Sequence, residues 1–124
     1  MHSVLVVDDE DVLRALIASI VADLGLRPLE ATNGREALAI LEAEREPPIL
    51  VITDVMMPQM NGVALVHQLR QHPRYREIPV VLMSAAERRR ADSLAEHFLF
   101  KPFEIAELEA IIARYVRARR NPTR

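Results

Sequence analysis

Short apolar runs alternate with stretches of helical periodicity along the chain, and this alternation restricts the fold more than any other feature. The runs are Val4 to Val7, a weaker one from Pro28 to Ala31, Ile49 to Ile52, Pro79 to Met83, and Phe98 to Phe100. The stronger runs are wholly apolar instead of alternating apolar with polar, a pattern that suits strands buried on both faces. Strand and helix signals in alternation imply a parallel sheet covered by helices on each side. Right-handed crossovers narrow the topology further. The expected architecture is α/β, a flavodoxin-like (βα)5 doubly wound sheet with strand order 2-1-3-4-5. In such a sheet, sites form beyond the carboxyl ends of the strands at the switch point between strands 1 and 3.

The intervening segments carry their own start and stop signals. Leu13, Leu16, Ile17, Ile20, Val21 and Leu24 repeat at helical spacing, and Gly25 follows as a C-terminal stop. Asn33 and Glu36 approximate a capping box ahead of Ala37, Leu38 and Leu41, and Glu46-Pro47-Pro48 ends that helix. Asn61-Gly62 opens a third helix bearing Leu65, Val66 and Leu69, which closes near His72-Pro73. A fourth, poorer helix is expected within Glu87 to Glu96, and a fifth uses Ile105, Leu108, Ile111, Ile112, Tyr115 and Val116.

The chain is 124 residues long and 50% apolar, enough for one domain with a real core. Aromatic residues are only 4%, so that core should be aliphatic. The net charge of -2 offers no electrostatic argument for nucleic acid. Cysteine is absent, which removes disulfides and thiol chemistry and favours a cytoplasmic setting. Neither a signal-peptide pattern nor an apolar run of membrane-spanning length is present. Nor does the sequence contain a GxGxxG or P-loop signature for nucleotides. Histidines 2, 67, 72 and 97 lack metal-ligand spacing. The domain is expected to span 1–118, with 119–124 a basic tail that either answers the helix dipole or begins a docking surface or linker.

The first run ends in Asp8, Asp9, Glu10 and Asp11. Two carboxylates about 4 Å apart repel by roughly 4 kcal/mol at an effective dielectric near 20. Strand order 2-1-3-4-5 brings Asp54, at the end of strand 3, onto the same rim as Asp8 and Asp9. A hard divalent cation would relieve the strain, and oxygen-only ligands favour Mg2+. Ser84 ends strand 4 and Lys101 ends strand 5, so a hydroxyl and an ammonium reach the rim too. An Asp nucleophile, a Mg2+ site, a hydroxyl and an ammonium together can hold a phosphoryl group and form an aspartyl phosphate.

With "VLVVDDE", "TDVMMPQMNG", "VVLMSA" and "FKPF" in order, the chain resembles the receiver domains of bacterial two-component response regulators, of the single-domain, chemotaxis-regulator-like kind. The resemblance runs from about Ser3 to Arg117. It implies that Asp54 is the phosphoacceptor, that Asp9, Asp54 and the backbone carbonyl of Met56 bind Mg2+ directly, and that Asp8 acts mainly through water. Lys101 would pair with the phosphoryl group and Ser84 would move to bond it. Phe98 matches the switch aromatic that turns into the space Ser84 vacates, although it also suits a plain core role. The Lys101-Pro102 bond matches one often cis in the family. The implied phosphoryl donor is a sensor histidine kinase or a histidine phosphotransfer protein. The implied output is a protein target on the face of the fourth helix, fifth strand and fifth helix, with no direct nucleic-acid contact and no membrane insertion. No DNA-binding segment follows within these residues, so either output by protein contact, from a monomer or a phosphorylation-dependent dimer, is expected, or the residues are a fragment of a longer multidomain regulator.

Departures from the family pattern carry expectations of their own. Leu94 stands where a Gly is common, which leaves the end of the fourth helix open to an irregular course. Arg88-Arg89-Arg90 makes the output face unusually basic. Met56 and Ala86 stand where polar side chains often influence the attacking water, so slow autodephosphorylation is expected. Two rivals remain. Phosphatases of the haloacid dehalogenase type need a second Asp two residues after the nucleophile, where this chain has Met56, which cannot transfer a proton. The chain is therefore expected to catalyse only its own phosphoryl transfer and dephosphorylation. A pseudo-receiver, an interaction module indifferent to phosphorylation, is the other alternative.

Overall fold

The computed structural model describes residues 1–57, 59–85 and 95–120. The elements are β1 (Ser3–Val7), α1 (Asp11–Asp23), β2 (Arg27–Ala31), α2 (Gly34–Ala43), β3 (Leu50–Asp54), α3 (Gly62–Gln71), β4 (Val80–Ser84), β5 (His97–Phe100) and α4 (Ile105–Arg120), the last being the helix expected fifth. Among the described residues the strands form one parallel sheet in the order β2-β1-β3-β4-β5, as the run pattern predicts. The expected fourth helix falls mainly on 86–94, outside the described residues, as do Ala86, Arg88-Arg89-Arg90, Leu94 and the end of the tail. Residues 95 and 96 are described, and they form a bend into β5 instead of helix.

Alternation along the central strands divides the core in two. Val4 and Val6 join Ile17, Val21, Leu50, Ile52, Leu108 and Ile112 on one face, between the sheet and α1 and α4. Leu5 and Val7 join Val51, Leu41, Leu65 and Leu69 on the other, against α2 and α3. Burying each such side chain stabilises the fold by about 1.5–3 kcal/mol. Among the described residues the core is free of buried aromatic side chains apart from Tyr75. β2 pairs only with β1 and exposes Arg27 and Glu30, and its edge position tolerates Pro28. These features explain the weakness of its sequence signal.

Local chemistry sets the helix ends. α1 closes in a Schellman arrangement: the Gly25 N–H donates to the Ala22 carbonyl at 3.0 Å and the Leu26 N–H to the Val21 carbonyl at 3.2 Å. Gly25 has a φ of 85°, a left-handed value that suits glycine. At α2, Asn33 Oδ1 accepts the Glu36 N–H at 2.8 Å, and Glu36 Oε1 accepts the Thr32 N–H at 2.6 Å. The return bond of the expected capping box thus lands one residue early. Asn61 Oδ1 caps α3 by accepting the Ala64 N–H at 2.8 Å.

Candidate functional site

Strand register assembles the site. Val7 pairs with Thr53, so Asp8 just beyond β1 lies beside Asp54, the last residue of β3. Ser84, the last residue of β4, pairs with Phe100, and its carbonyl accepts the Lys101 N–H at 2.8 Å. Asp8, Asp54 and Ser84 are buried, whereas Asp9 is exposed. One carboxylate oxygen from each of Asp8, Asp9 and Asp54 can lie within 4.8 Å of the others. Lys101 Nζ stands 3.1 Å from Asp54 Oδ1, 3.4 Å from Asp8 Oδ2 and 3.4 Å from Glu10 Oε1. Asp8, Asp9, Asp54 and Lys101 therefore converge as expected, and Ser84 ends the strand beside Asp54.

The electrostatics refine the sequence expectation. Burial pushes the carboxyl of Asp54 above the usual carboxylate range; Lys101 opposes that rise, and the charges of Asp8 and Asp9 add to it. Burial also raises Asp8, against the Glu10 backbone N–H bond and Lys101. Loss of water thus outweighs mutual repulsion as the main cost of this acidic pocket. Burial works to lower Lys101, but hydrogen bonding and attraction from Asp54 and Asp8 leave it above the ordinary lysine value. A cationic lysine and a carboxylate of raised basicity thus meet at one end of the sheet.

A tightly fastened loop follows Asp54. The Val55 N–H donates to the Met83 carbonyl at 2.9 Å, and the Gly62 N–H returns to the Val55 carbonyl at 2.9 Å. A Cβ on Gly62 would stand 2.2 Å from the Asp54 carbonyl oxygen, so the close approach requires glycine. The Gly34 N–H donates to the Met60 carbonyl at 3.1 Å and ties the start of α2 to the same loop. Met57 and Met60 pack against the core, while Met56 is 70% exposed. The Lys101-Pro102 bond is cis, as the resemblance implies. Phe98 is partly buried with its ring 5.0 Å from that of Phe100, and His97 Nε2 hydrogen-bonds the Tyr115 hydroxyl at 2.7 Å.

Three features beside the site escaped sequence reading. Glu10 was visible only as part of the acidic run, not as a partner of Lys101. Arg14 Nη1 donates to the Asp8 carbonyl at 2.9 Å, a contact no spacing rule encodes. A groove of about 480 Å³ lies next to Lys101, lined by Val12, Leu13, Leu16, Pro102, Phe103 and Ile105, with Val12 85% exposed.

Comparison with known proteins gives a consistent answer. Residues 4–113 match the family described as "Response regulator receiver domain". The chain is 36% identical over 125 residues to "Probable transcriptional regulator ycf27" of Cyanophora paradoxa, covering 97% of this chain and 50% of that protein. It is 34% identical over 119 residues to "Two-component response regulator ORR5" of Oryza sativa subsp. japonica, covering 92% of this chain and 88% of the relative. The chain thus spans half the length of the first relative and most of the second. Among solved structures, the signal receiver domain of a signal transduction histidine kinase from Syntrophus aciditrophicus superposes with a TM-score of 0.84 at 30% identity, covering 95% of this chain and 92% of that one. Response regulator TrrA of Thermotoga maritima, solved in complex with Mg(2+)-BeF, gives 0.81 at 27% identity, covering 93% and 99%.

Proposed function

The chain belongs to the response regulator receiver domain family, and on that premise we propose that it is a signalling switch that accepts a phosphoryl group on Asp54 from a histidine kinase or histidine phosphotransfer protein. The observation that carries this reading is the placement of the buried Asp54 carboxylate 3.1 Å from Lys101 Nζ, with Asp8 and Asp9 beside it. An all-oxygen donor set of three clustered carboxylates fits a hard divalent cation, and the relative TrrA was solved with Mg(2+)-BeF. Asp9, Asp54 and the Met56 carbonyl would hold Mg2+, with Asp8 acting through water; when bound, the ion neutralises charge on the incoming phosphoryl oxygens.

This chain's own residues supply the remaining chemistry. An ionised Asp54 oxygen attacks phosphorus, a new O–P bond forms, and the P–N bond to the donor imidazole breaks. Lys101 attracts the transferring group's oxygens and, before transfer, favours the ionised form of Asp54 against the cost of burial. The Ser84 hydroxyl donates a hydrogen bond to a phosphoryl oxygen of the product. The apolar groove beside Lys101 offers a donor protein a surface next to the phosphoryl path. Phosphorylation adds negative charge and strong acceptor oxygens. It then biases Ser84, Phe98 and the β5–α4 side towards a form that a downstream protein target reads. The chain turns over no external substrate. We assign a cytoplasmic site of action from membership of the receiver family; separately, among the described residues no helix is long and apolar enough to cross a membrane.

Phosphotransfer from a labelled histidine kinase tests the reading. Label should reach the chain in Mg2+, fail to reach it in EDTA, and fail to reach Asp54→Asn in either buffer. Wild-type protein that takes no label from any of a panel of kinases, nor from a small phosphoramidate donor, would leave the pseudo-receiver as the better description.

A further inference from the structure

We propose that Arg14 is a positioning residue that fixes the acidic loop between β1 and α1 in its ion-ready arrangement; this rests on the Mg2+-dependent reading above. Each part of the guanidinium fork holds a different element. Nη1 donates to the Asp8 carbonyl at 2.9 Å, Nη2 to Asp11 Oδ1 at 2.8 Å, and Nε to Glu30 Oε1 at 3.2 Å. Arg14 therefore joins the start of the loop, the first turn of α1 and the edge strand β2. Its side chain is only 15% exposed, so the fork is held in place.

Asp8 shows what this clamp controls. Its N–H donates to the Ala31 carbonyl at 3.0 Å, its Oδ1 accepts the Glu10 N–H at 2.8 Å, and its Oδ2 faces Lys101 at 3.4 Å. The Asp8 carbonyl is the remaining strong polar group of this fully buried residue, and Arg14 supplies its partner. An unpaired buried carbonyl is costly, so losing Arg14 should let the peptide after Asp8 turn and carry Asp9 away from Asp54. A lysine has a single ammonium and cannot satisfy three acceptors in a fixed plane.

Charge and geometry make opposite predictions, which renders the proposal testable. A cation beside a metal site repels the metal, so on charge alone removing Arg14 would tighten Mg2+ binding. Positioning predicts weaker binding. Groups that orient metal ligands typically contribute about 10–100-fold in affinity.

The test is Mg2+ titration, by calorimetry and by NMR of the amides of residues 8–10, of wild type, Arg14→Met and Arg14→Lys, each checked for fold by circular dichroism. The expected result is about tenfold weaker Mg2+ binding in both variants, with faster hydrogen exchange at the Glu10 amide. Equal or tighter binding in Arg14→Met overturns the proposal. Wild-type affinity in Arg14→Lys also overturns it, because the fork would then be dispensable. Should Arg14→Met fail to fold, Arg14→Lys alone decides. Wild-type protein that binds no Mg2+ refutes the underlying functional reading and this inference with it.

Discussion

The loop that follows Asp54 and the β5–α4 side are held in different ways. The loop is fastened by main chain: Val55 to Met83, Gly62 to Val55 and Gly34 to Met60. The β5–α4 side is joined by a side-chain contact, the His97–Tyr115 bond at 2.7 Å, and β5 itself carries the tilted Phe98–Phe100 ring pair at 5.0 Å. Main-chain bonds in a tight loop permit few alternatives, whereas side chains can exchange staggered rotamers. The comparison suggests a division of labour. Chemistry needs a fixed nucleophile, and a switch needs an element with two arrangements of similar energy.

The division can be broken most severely at the fixed end. Lys101→Met should slow phosphotransfer by about 10²–10³-fold, the scale on which losing a preorganised charge partner acts. A loss under fivefold would remove Lys101 from the chemistry. Gly62→Ala should come next, because its Cβ would meet the Asp54 carbonyl. Overpacking of this kind costs about 1–3 kcal/mol, seen in chemical denaturation, and phosphotransfer should fall with it. Normal stability and normal transfer together would show that the loop can yield.

Asp54→Asn sharpens the comparison by separating function from stability. The Asp54 carboxyl is raised by burial, and Asp8 likewise, so in the folded state each holds its proton above the ordinary value of 3.8. Their contribution to stability is then fully present below that value and is lost as pH rises through the raised one. Without Mg2+, Asp54→Asn should therefore unfold at a higher temperature than wild type at neutral pH. The gain should shrink as the buffer is made acid. A variant less stable than wild type at pH 7 in EDTA would contradict the assigned cost of burial.

Two smaller effects complete the series. Met56 is exposed beside the site and cannot orient water by hydrogen bonding. Phosphate on wild-type protein should therefore be long-lived, and Met56→Asn should shorten its lifetime several-fold; loss from wild type within seconds would refute this. At the adjustable end, Tyr115→Phe removes one hydrogen bond, at a cost of about 0.5–1.5 kcal/mol, and should leave the phosphotransfer rate unchanged. A large drop in transfer would mean that the two ends are not separable.

How legible each part was follows from what the sequence encodes locally. β1, β3 and β4 are central strands buried on both faces, and their apolar runs mark them within a residue or two. β2 is an edge strand with Pro28 and Glu30, so its run is weak. Asp54, Ser84 and Lys101 were legible because each ends a run, and a parallel sheet brings run ends together. The dominance of burial over repulsion was not, since Asp8 and Asp9 are neighbours in sequence and opposite in exposure. Nor were the reach of Arg14 to Glu30 or that of Lys101 to Glu10, which span 16 and 91 positions.

The most direct measurement of the central claim is a two-dimensional NMR titration of the wild-type chain with Mg2+ and beryllofluoride, which mimics a phosphoryl group. The account predicts saturable shifts at Asp9, Asp54, Ser84 and Lys101, accompanied by shifts at His97, Phe98 and Tyr115 on the β5–α4 side. An unchanged spectrum, or changes confined to the acidic pocket with the β5–α4 side silent, would contradict it.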